Sequence, residues 1–422
     1  MKRYTIFLAI VFSFLCLVLS EVRAAETLTW EDCVKEAKEK HPDLISAEEK
    51  LNQAKADRTI VTSNILPQIS SEISQSTSKT AVKNKTDTYS YGVTVKQLLF
   101  DGLKTPYDIA AASKNVKSAQ YNHEVTSSDV RLRLRTAFIE LLRAQELLNI
   151  TEDIFRRRKQ NIDLVRLRYE GGREHKGSLL TAQADLAQAE FEVAQAKRNI
   201  DLAQRQLTKE LGRMELKPIR VIGDFEIIDA KRERPNFEVL AASTPFLKAL
   251  IAEKEAARLG LKSAKAEFFP QVYANMSAGR IDSDWPPDQD EWSVGVTLTF
   301  PLFEGGRRWA EVSKARAVLN QVQADERSSR DSVILTLEET WTNLQDTMDT
   351  VAVQKKFLRA AEERAKIAQA QYSNGLISFD NWTIIEDDLV RAKKSFLDAQ
   401  TNTLIAEAEW IQAKGGTLDY GE

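Results

Sequence analysis

The sequence predicts a mainly α-helical fold with a small β part, built from a duplicated unit of long coiled-coil helices plus two strands. Three observations predict it: an internal repeat at one constant offset, long helical stretches followed by seven-residue apolar spacing, and short segments of strict alternation in each copy.

The repeat comes first. Leu66-Pro67-Gln68-Ile69 recurs as Phe269-Pro270-Gln271-Val272, 203 residues further on. Gly92-Val-Thr-Val-Lys-Gln-Leu-Leu-Phe-Asp-Gly102 recurs as Gly295-Val-Thr-Leu-Thr-Phe-Pro-Leu-Phe-Glu-Gly305 at the same spacing. Pro42 matches Pro245, Tyr169 and Gly172 match Tyr372 and Gly375, and Leu211-Gly212 falls opposite Lys414-Gly415. One ungapped offset over this span divides the chain into a first repeat (25–212), a linker (213–243, with Pro218 and Pro235), a second repeat (244–415) and a short tail (416–422).

Ahead of the repeats, residues 1–24 read as a signal peptide: Lys2 and Arg3 form the positive region, Ile6 to Leu19 the apolar core, and Val22-Arg23-Ala24 the cleavage site. Each repeat then opens with a helical stretch (28–64; 244–267) that ends at a proline step, because the residue before proline disfavours helix. Two alternating segments follow. Tyr89, Tyr91, Val93 and Val95 interleave with Ser90, Gly92, Thr94 and Lys96; Trp292, Val294, Val296 and Leu298 interleave with Ser293, Gly295, Thr297 and Thr299. A period of two with an aromatic start is a strand with one apolar and one polar face. The intervening polar loops, 77–87 and the acidic 280–291, read as outward-facing.

After the Phe-Asp-Gly or Phe-Glu-Gly turn, residues 105–168 keep a helical pattern with no internal proline or glycine except Pro106 at its start. At 1.5 Å per residue that is roughly 96 Å. A second helix carries a heptad: Leu179, Leu186, Val193, Ile200 and Leu207, with Ala182, Ala189, Ala196 and Ala203 interleaved. In copy two the lattice gives Trp382, Leu389, Phe396, Thr403 and Trp410, with Ile385, Ala392, Ala399, Ala406 and Ala413. A sustained heptad means supercoiled partners, and alanine at a seam lets helix axes approach.

Composition narrows the function. A formal net charge of −3 with 29% charged residues gives no electrostatic basis for nucleic-acid binding. Cys16 leaves with the signal peptide, so Cys33 has no intramolecular partner; Phe14 and Leu15 also exclude a lipid-attachment site. His41, His123 and His175 have no metal-ligand spacing, and no phosphate loop or nucleophile elbow is present, so no enzyme activity or cofactor is expected. Nothing after residue 25 resembles a membrane-spanning helix. Four strands are too few to close a barrel, and lipid does not tolerate an open edge. The strands therefore form either a soluble sheet packed on helices or part of a barrel shared between subunits.

The duplicated order of helix, Leu-Pro-Gln strand, Gly-Val-Thr-Val strand, Phe-Asp-Gly turn, long helix, Arg-Tyr-x-x-Gly and heptad helix resembles the TolC family of outer-membrane efflux proteins over the whole mature chain. The resemblance rests on Gly92 to Gly102, Gly295 to Gly306, Tyr169 to Gly172 and Tyr372 to Ser378. It implies a homotrimer whose strands form a twelve-stranded barrel in outer-membrane lipid, with an α-helical tunnel in the periplasm. It also implies a periplasmic adaptor and an inner-membrane transporter as partners, and a passive exit duct as the function. The adaptor-docking tips carried over are Gly172, Arg173, Glu174, His175 and Lys176 in copy one, and Gly375, Leu376, Ile377 and Ser378 in copy two. Copy one is more charged than the family pattern. Asp380, Glu386, Asp387 and Asp388 are candidates for a carboxylate ring at the tunnel aperture. The runs Arg131–Arg135 and Arg156–Lys159 read as solvated or interhelical ion-pairing faces rather than ligand sites. The competing reading is a soluble periplasmic coiled-coil adaptor or scaffold.

Overall fold

A computed structural model describes residues 26–79, 85–225 and 234–420. The expected signal peptide lies outside the described residues, as do parts of the loop 77–87, the linker 213–243 and the tail 416–422. The helices are α1 (Trp30–Lys40), α2 (Pro42–Ser63), α3 (Lys104–Glu170), α4 (Lys176–Glu210), α5 (Phe237–Ser243), α6 (Pro245–Ala266), α7 (Arg307–Ser373) and α8 (Phe379–Ala413). The strands are β1 (Glu26–Leu28), β2 (Gln68–Ser78), β3 (Thr86–Phe100), β4 (Ile219–Val221), β5 (Gln271–Asp282) and β6 (Gln289–Thr299).

Both ends of α2, α3 and α4 recur 203 residues later as the ends of α6, α7 and α8. The long helices α3 and α7 each run 67 residues, about 100 Å. The stretch 28–64, expected as one helix, is two. His41 is extended (ψ 123°) because Pro42 follows it, and Pro42 then starts a new helix, where its missing N–H costs nothing. The short helix α5 lies inside the expected linker.

The chain forms two compact units that do not coincide with the repeats. One gathers Met1–His41, Arg133–Ala230 and Gln345–Ala408; the other gathers Pro42–Leu132, Lys231–Leu344 and Glu409–Glu422. In the first, the expected alanine seam of α4 is buried at Ala182, Ala189, Ala196 and Ala203, while Leu179, Leu186, Val193 and Ile200 are half-buried. Strand β1 pairs in parallel with β4, and Arg213 fastens this corner. Its guanidinium donates to Glu26 at 2.7 and 3.0 Å and to Glu36 at 2.6 and 2.8 Å. These hydrogen bonds hold both carboxyls below the ordinary glutamate value of 4.5. A depressed folded pKa gives stability that is present above about pH 4.5 and is lost as pH falls through the folded values. Arg213→Met should therefore lower the thermal midpoint at neutral pH and flatten its decline below pH 4.5. Thermal unfolding of detergent-solubilised protein across that range checks it; an unchanged acid profile would assign the decline to other groups.

In the second unit, β2, β3, β5 and β6 form an antiparallel sheet in the order β2-β3-β5-β6. The pairs Ile73↔Tyr91, Val93↔Ala278 and Met276↔Val294 put Ile69, Ile73, Val93, Met276, Val294, Val296 and Leu298 on one face. That face is uncovered: Val296 is 68% exposed and Ile73 is 73% exposed. The opposite face is polar, with Ser74 and Ser90 hydroxyls bonded at 2.8 Å and their counterparts Ser277 and Ser293 also at 2.8 Å. Gly92 lies opposite Gly279, where an added Cβ on Gly279 would meet the Tyr91 carbonyl oxygen at 2.3 Å. Only glycine permits that approach. Strands β2 and β6 have no outer partner among the described residues.

Candidate functional site at the paired helix turns

The turns α3–α4 and α7–α8 lie in the first unit and close by the same device. The Gly172 N–H donates to Tyr169 O (3.0 Å) and the Arg173 N–H to Arg168 O (2.8 Å); Gly375 and Leu376 donate to Tyr372 O and Gln371 O, both at 2.9 Å. Each glycine has a positive φ, 69° and 76°, as this helix ending requires. Copy one then restarts with His175, whose Nδ1 accepts from the Ser178 N–H at 3.2 Å and so caps α4.

Side chains tie the two turns together. Tyr372 is stacked on Trp382 (4.3 Å, 14°), and Phe379 meets both rings edge-on. Trp382, Phe379 and Tyr372 are buried with Ile162, Val165, Ala182 and Ala368. The Tyr372 hydroxyl donates to Glu174 (3.0 Å), and Ser178 donates to the other Glu174 oxygen (2.9 Å). Arg168 lies over the Tyr372 ring at 4.6 Å and donates to the Tyr372 carbonyl at 2.7 Å. Burial raises the Tyr372 hydroxyl pKa, and the adjacent Glu174 raises it further. Burial also opposes ionisation of Glu174, but the hydrogen bonds from Ser178, Tyr372 and the His175 backbone outweigh it, so its pKa lies below the ordinary value. Tyr372 is thus a neutral donor and Glu174 an ionised acceptor, which makes the bond charge-assisted.

Of the expected docking residues, Gly172, Arg173, His175, Lys176, Gly375, Leu376 and Ser378 are exposed, Leu376 at 73%. Glu174 and Ile377 are half-buried, and Glu174 is held by the Tyr372 and Ser178 hydroxyls, a latch between the two turns, rather than free at the surface. The four expected aperture acids are not equivalent. Glu386 is buried and gripped by Arg157 at 2.8, 3.0 and 3.3 Å. Asp387 pairs with Arg158, and Asp388 with Arg391 (3.1 Å) and Arg364 (3.6 Å). Asp380 is exposed and has no ion-pair partner among the described residues. The run Arg156–Lys159 thus acts as an interhelical pairing face through Arg157 and Arg158, extended by Lys393–Asp153 (2.6 Å) and Lys394–Glu192 (2.8 Å).

The aromatic trio went unrecognised in the sequence, although a signal was present. At the corresponding positions copy one has Tyr169, Lys176 and Leu179, so the second and third rings belong to copy two alone.

Comparison with known proteins fits this geometry. Residues 33–213 and 238–416 match the family model described as outer membrane efflux protein. The outer membrane efflux protein BepC of Brucella suis biovar 1 (strain 1330) is 22% identical over 364 residues, covering 83% of this chain and 77% of BepC. The outer membrane protein TolC of Vibrio cholerae serotype O1 is 24% identical over 413 residues, covering 93% of this chain and 90% of TolC. A solved structure of CusC, whose Escherichia coli form is named a cation efflux system protein, superposes with a TM-score of 0.84 at 18% identity, covering 94% and 96% of the two chains. The chain belongs to the outer membrane efflux protein family and is a TolC-like outer-membrane channel protein.

Proposed function

We propose that three copies of the chain close a twelve-stranded barrel in the outer membrane and form a passive exit duct. The observation that carries this is the sheet: four strands, two open edges, one apolar face and one hydroxyl-lined face. An open edge in hydrocarbon leaves backbone groups without partners, so the sheet needs further strands, and an even antiparallel count closes without conflict. The apolar face then meets lipid and the serine and threonine face meets water. The family match weighs against the soluble scaffold. Relatives named for cation efflux, alkaline protease secretion and solvent efflux all match this chain, which supports a duct whose cargo is selected by its inner-membrane partner.

The helix turns are the docking end for a periplasmic adaptor, with the exposed Arg173 and Lys176 as its charged contacts and Leu376 as an apolar one. The adaptor surface is acidic in this reading. Asp380 is the remaining aperture acid, since Glu386, Asp387 and Asp388 are paired with Arg157, Arg158 and Arg391. Planar-bilayer conductance, run beside chemical crosslinking, tests the duct. Discrete steps from a trimer support it, whereas a non-conducting soluble monomer or dimer defeats it. For docking, Arg173→Glu with Lys176→Glu should weaken adaptor pulldown about tenfold or more, since like charges replace complementary ones. Unchanged pulldown would remove the charged turn from the interface.

A further inference from the structure

The proposed barrel needs a seam between β6 of one copy and β2 of the next, and the chain's own duplication specifies that seam's register. The two hairpins are already superimposable by the repeat. Gln68↔Lys96 in the first becomes Gln271↔Thr299 in the second, both partners moving by 203 residues. The join between the hairpins, β3 with β5, is the one seam of its kind inside the chain. Its counterpart under the same shift is β6 with β2, two strands that sit at opposite edges of the sheet. With two strands between them and neighbouring strands about 4.8 Å apart, they lie roughly 14 Å from one another within one chain. The partner strand must come from a second copy.

We infer that β6 pairs with β2 of the next copy in the register Ser293↔Ser78, Gly295↔Ser76, Thr297↔Ser74, Leu298↔Ile73 and Phe300↔Ser71. Each pair is the shifted image of one seen within the chain: Ser90↔Ile281, Gly92↔Gly279, Thr94↔Ser277, Val95↔Met276 and Gln97↔Ala274. This inference rests on the trimeric-barrel reading and adds the alignment of its seam.

Three independent features agree with that alignment. It keeps the faces consistent, setting apolar Leu298 beside Ile73 and hydroxyl-bearing Thr297 beside Ser74. It accounts for the irregular end of β6. The β3–β5 ladder has a bulge between Leu98 and Phe100, and the shifted positions are Pro301 and Phe303, with Leu302 as the extra residue. Proline is confined to edges and bulges of sheets, and here it falls at the bulge. The alignment also brings together two exposed edge side chains: Phe303 (89%) comes opposite Ile69 (71%), as Phe100 lies opposite the half-buried Val272.

Cysteine pairs in the full-length protein, expressed in membranes, test it. Buried Cys33 stays in place in every variant. Adjacent antiparallel pairs alternate between Cα separations of about 5.5 and 4.5 Å, both within disulfide range, so two neighbouring pairs sample both geometries. Ser74→Cys with Thr297→Cys, and Ile73→Cys with Leu298→Cys, should convert the monomer band into covalent dimer and trimer on mild oxidation. Pairs displaced by two residues, Ser76→Cys or Glu72→Cys with Thr297→Cys, should crosslink several-fold less, because diagonal neighbours stand about 7–8 Å apart. If a displaced pair crosslinks best in a trimer that still conducts, the register is wrong and the barrel stands. If no pair crosslinks and no conducting trimer forms, the barrel reading fails and the register with it.

Discussion

Trp382→Ala should release the paired helix turns. The indole is 1% exposed and fills the space between Tyr372, Phe379 and the Ala182 seam of α4, so its removal leaves a cavity among residues from four helices. Truncating a buried tryptophan costs about 3–5 kcal/mol. The loss falls on the apolar cluster that packs the two turns together, so local opening becomes populated while the sheet unit keeps its own contacts. Arg173 and Lys176, exposed in the turn, supply the readout: trypsin should cut the variant there at concentrations that leave the parent intact. A conservative control follows from the chemistry. The indole Nε1 is buried with no hydrogen-bond partner among the described residues, so Trp382→Phe removes no bond and preserves the ring stack. Its cost should be well below that of Trp382→Ala, because most of the ring volume is kept, with trypsin resistance closer to the parent's. Glu174→Gln isolates the other half of the latch. It keeps an acceptor for Tyr372 but removes the charge that strengthens the bond, so its effect should be intermediate. Parental resistance in Trp382→Ala would mean that the ion pairs between helices, not the aromatic cluster, hold the turns.

Those ion pairs mark the limit of what the sequence reveals. Local period was readable: the helix expected over 105–168 spans Lys104–Glu170, and the alternating segments at Tyr89 and Trp292 are strands with the expected faces. Glycine was readable as well, since Gly172 and Gly375 sit at the left-handed position that ends each long helix, whereas the break at Pro42 inside 28–64 was not. Chain-distant pairing was not. Arg157 and Glu386 are 229 residues apart, and only the axial stagger of α3 against α8 brings them within 2.8 Å. No periodicity encodes that stagger, so Glu386 and Asp387 read as free carboxylates when each in fact neutralises an arginine. The three-residue strands β1 and β4 escaped for a different reason. They are too short to show alternation, and it is Arg213 bonding to Glu26 that fixes their corner.

The largest effect is expected on the sheet. Val296→Arg should abolish assembly in the outer membrane. Val296 is central in β6 on the apolar face, beside Ala274 across the β5 ladder, and nothing among the described residues covers it. If that face meets lipid, an arginine near the bilayer midplane costs about 2–4 kcal/mol, and one barrel would carry three of them. Roughly 6–12 kcal/mol rivals the whole stability of an ordinary domain. The next residue is the control. Thr297 faces the opposite way, where it accepts a hydrogen bond from Asn275 at 3.0 Å. Thr297→Arg points its charge into water, so trimers should still form and conduct. Three guanidinium groups inside the barrel should then shift permeability from cations toward anions. Trimer yield in the outer-membrane fraction and reversal potential under a salt gradient separate the two variants. Normal assembly of Val296→Arg would show that the apolar face is covered by protein rather than lipid. Equal failure of both would mean that β6 tolerates no charge on either face, which is the behaviour of a sheet buried on both sides and not of a barrel wall.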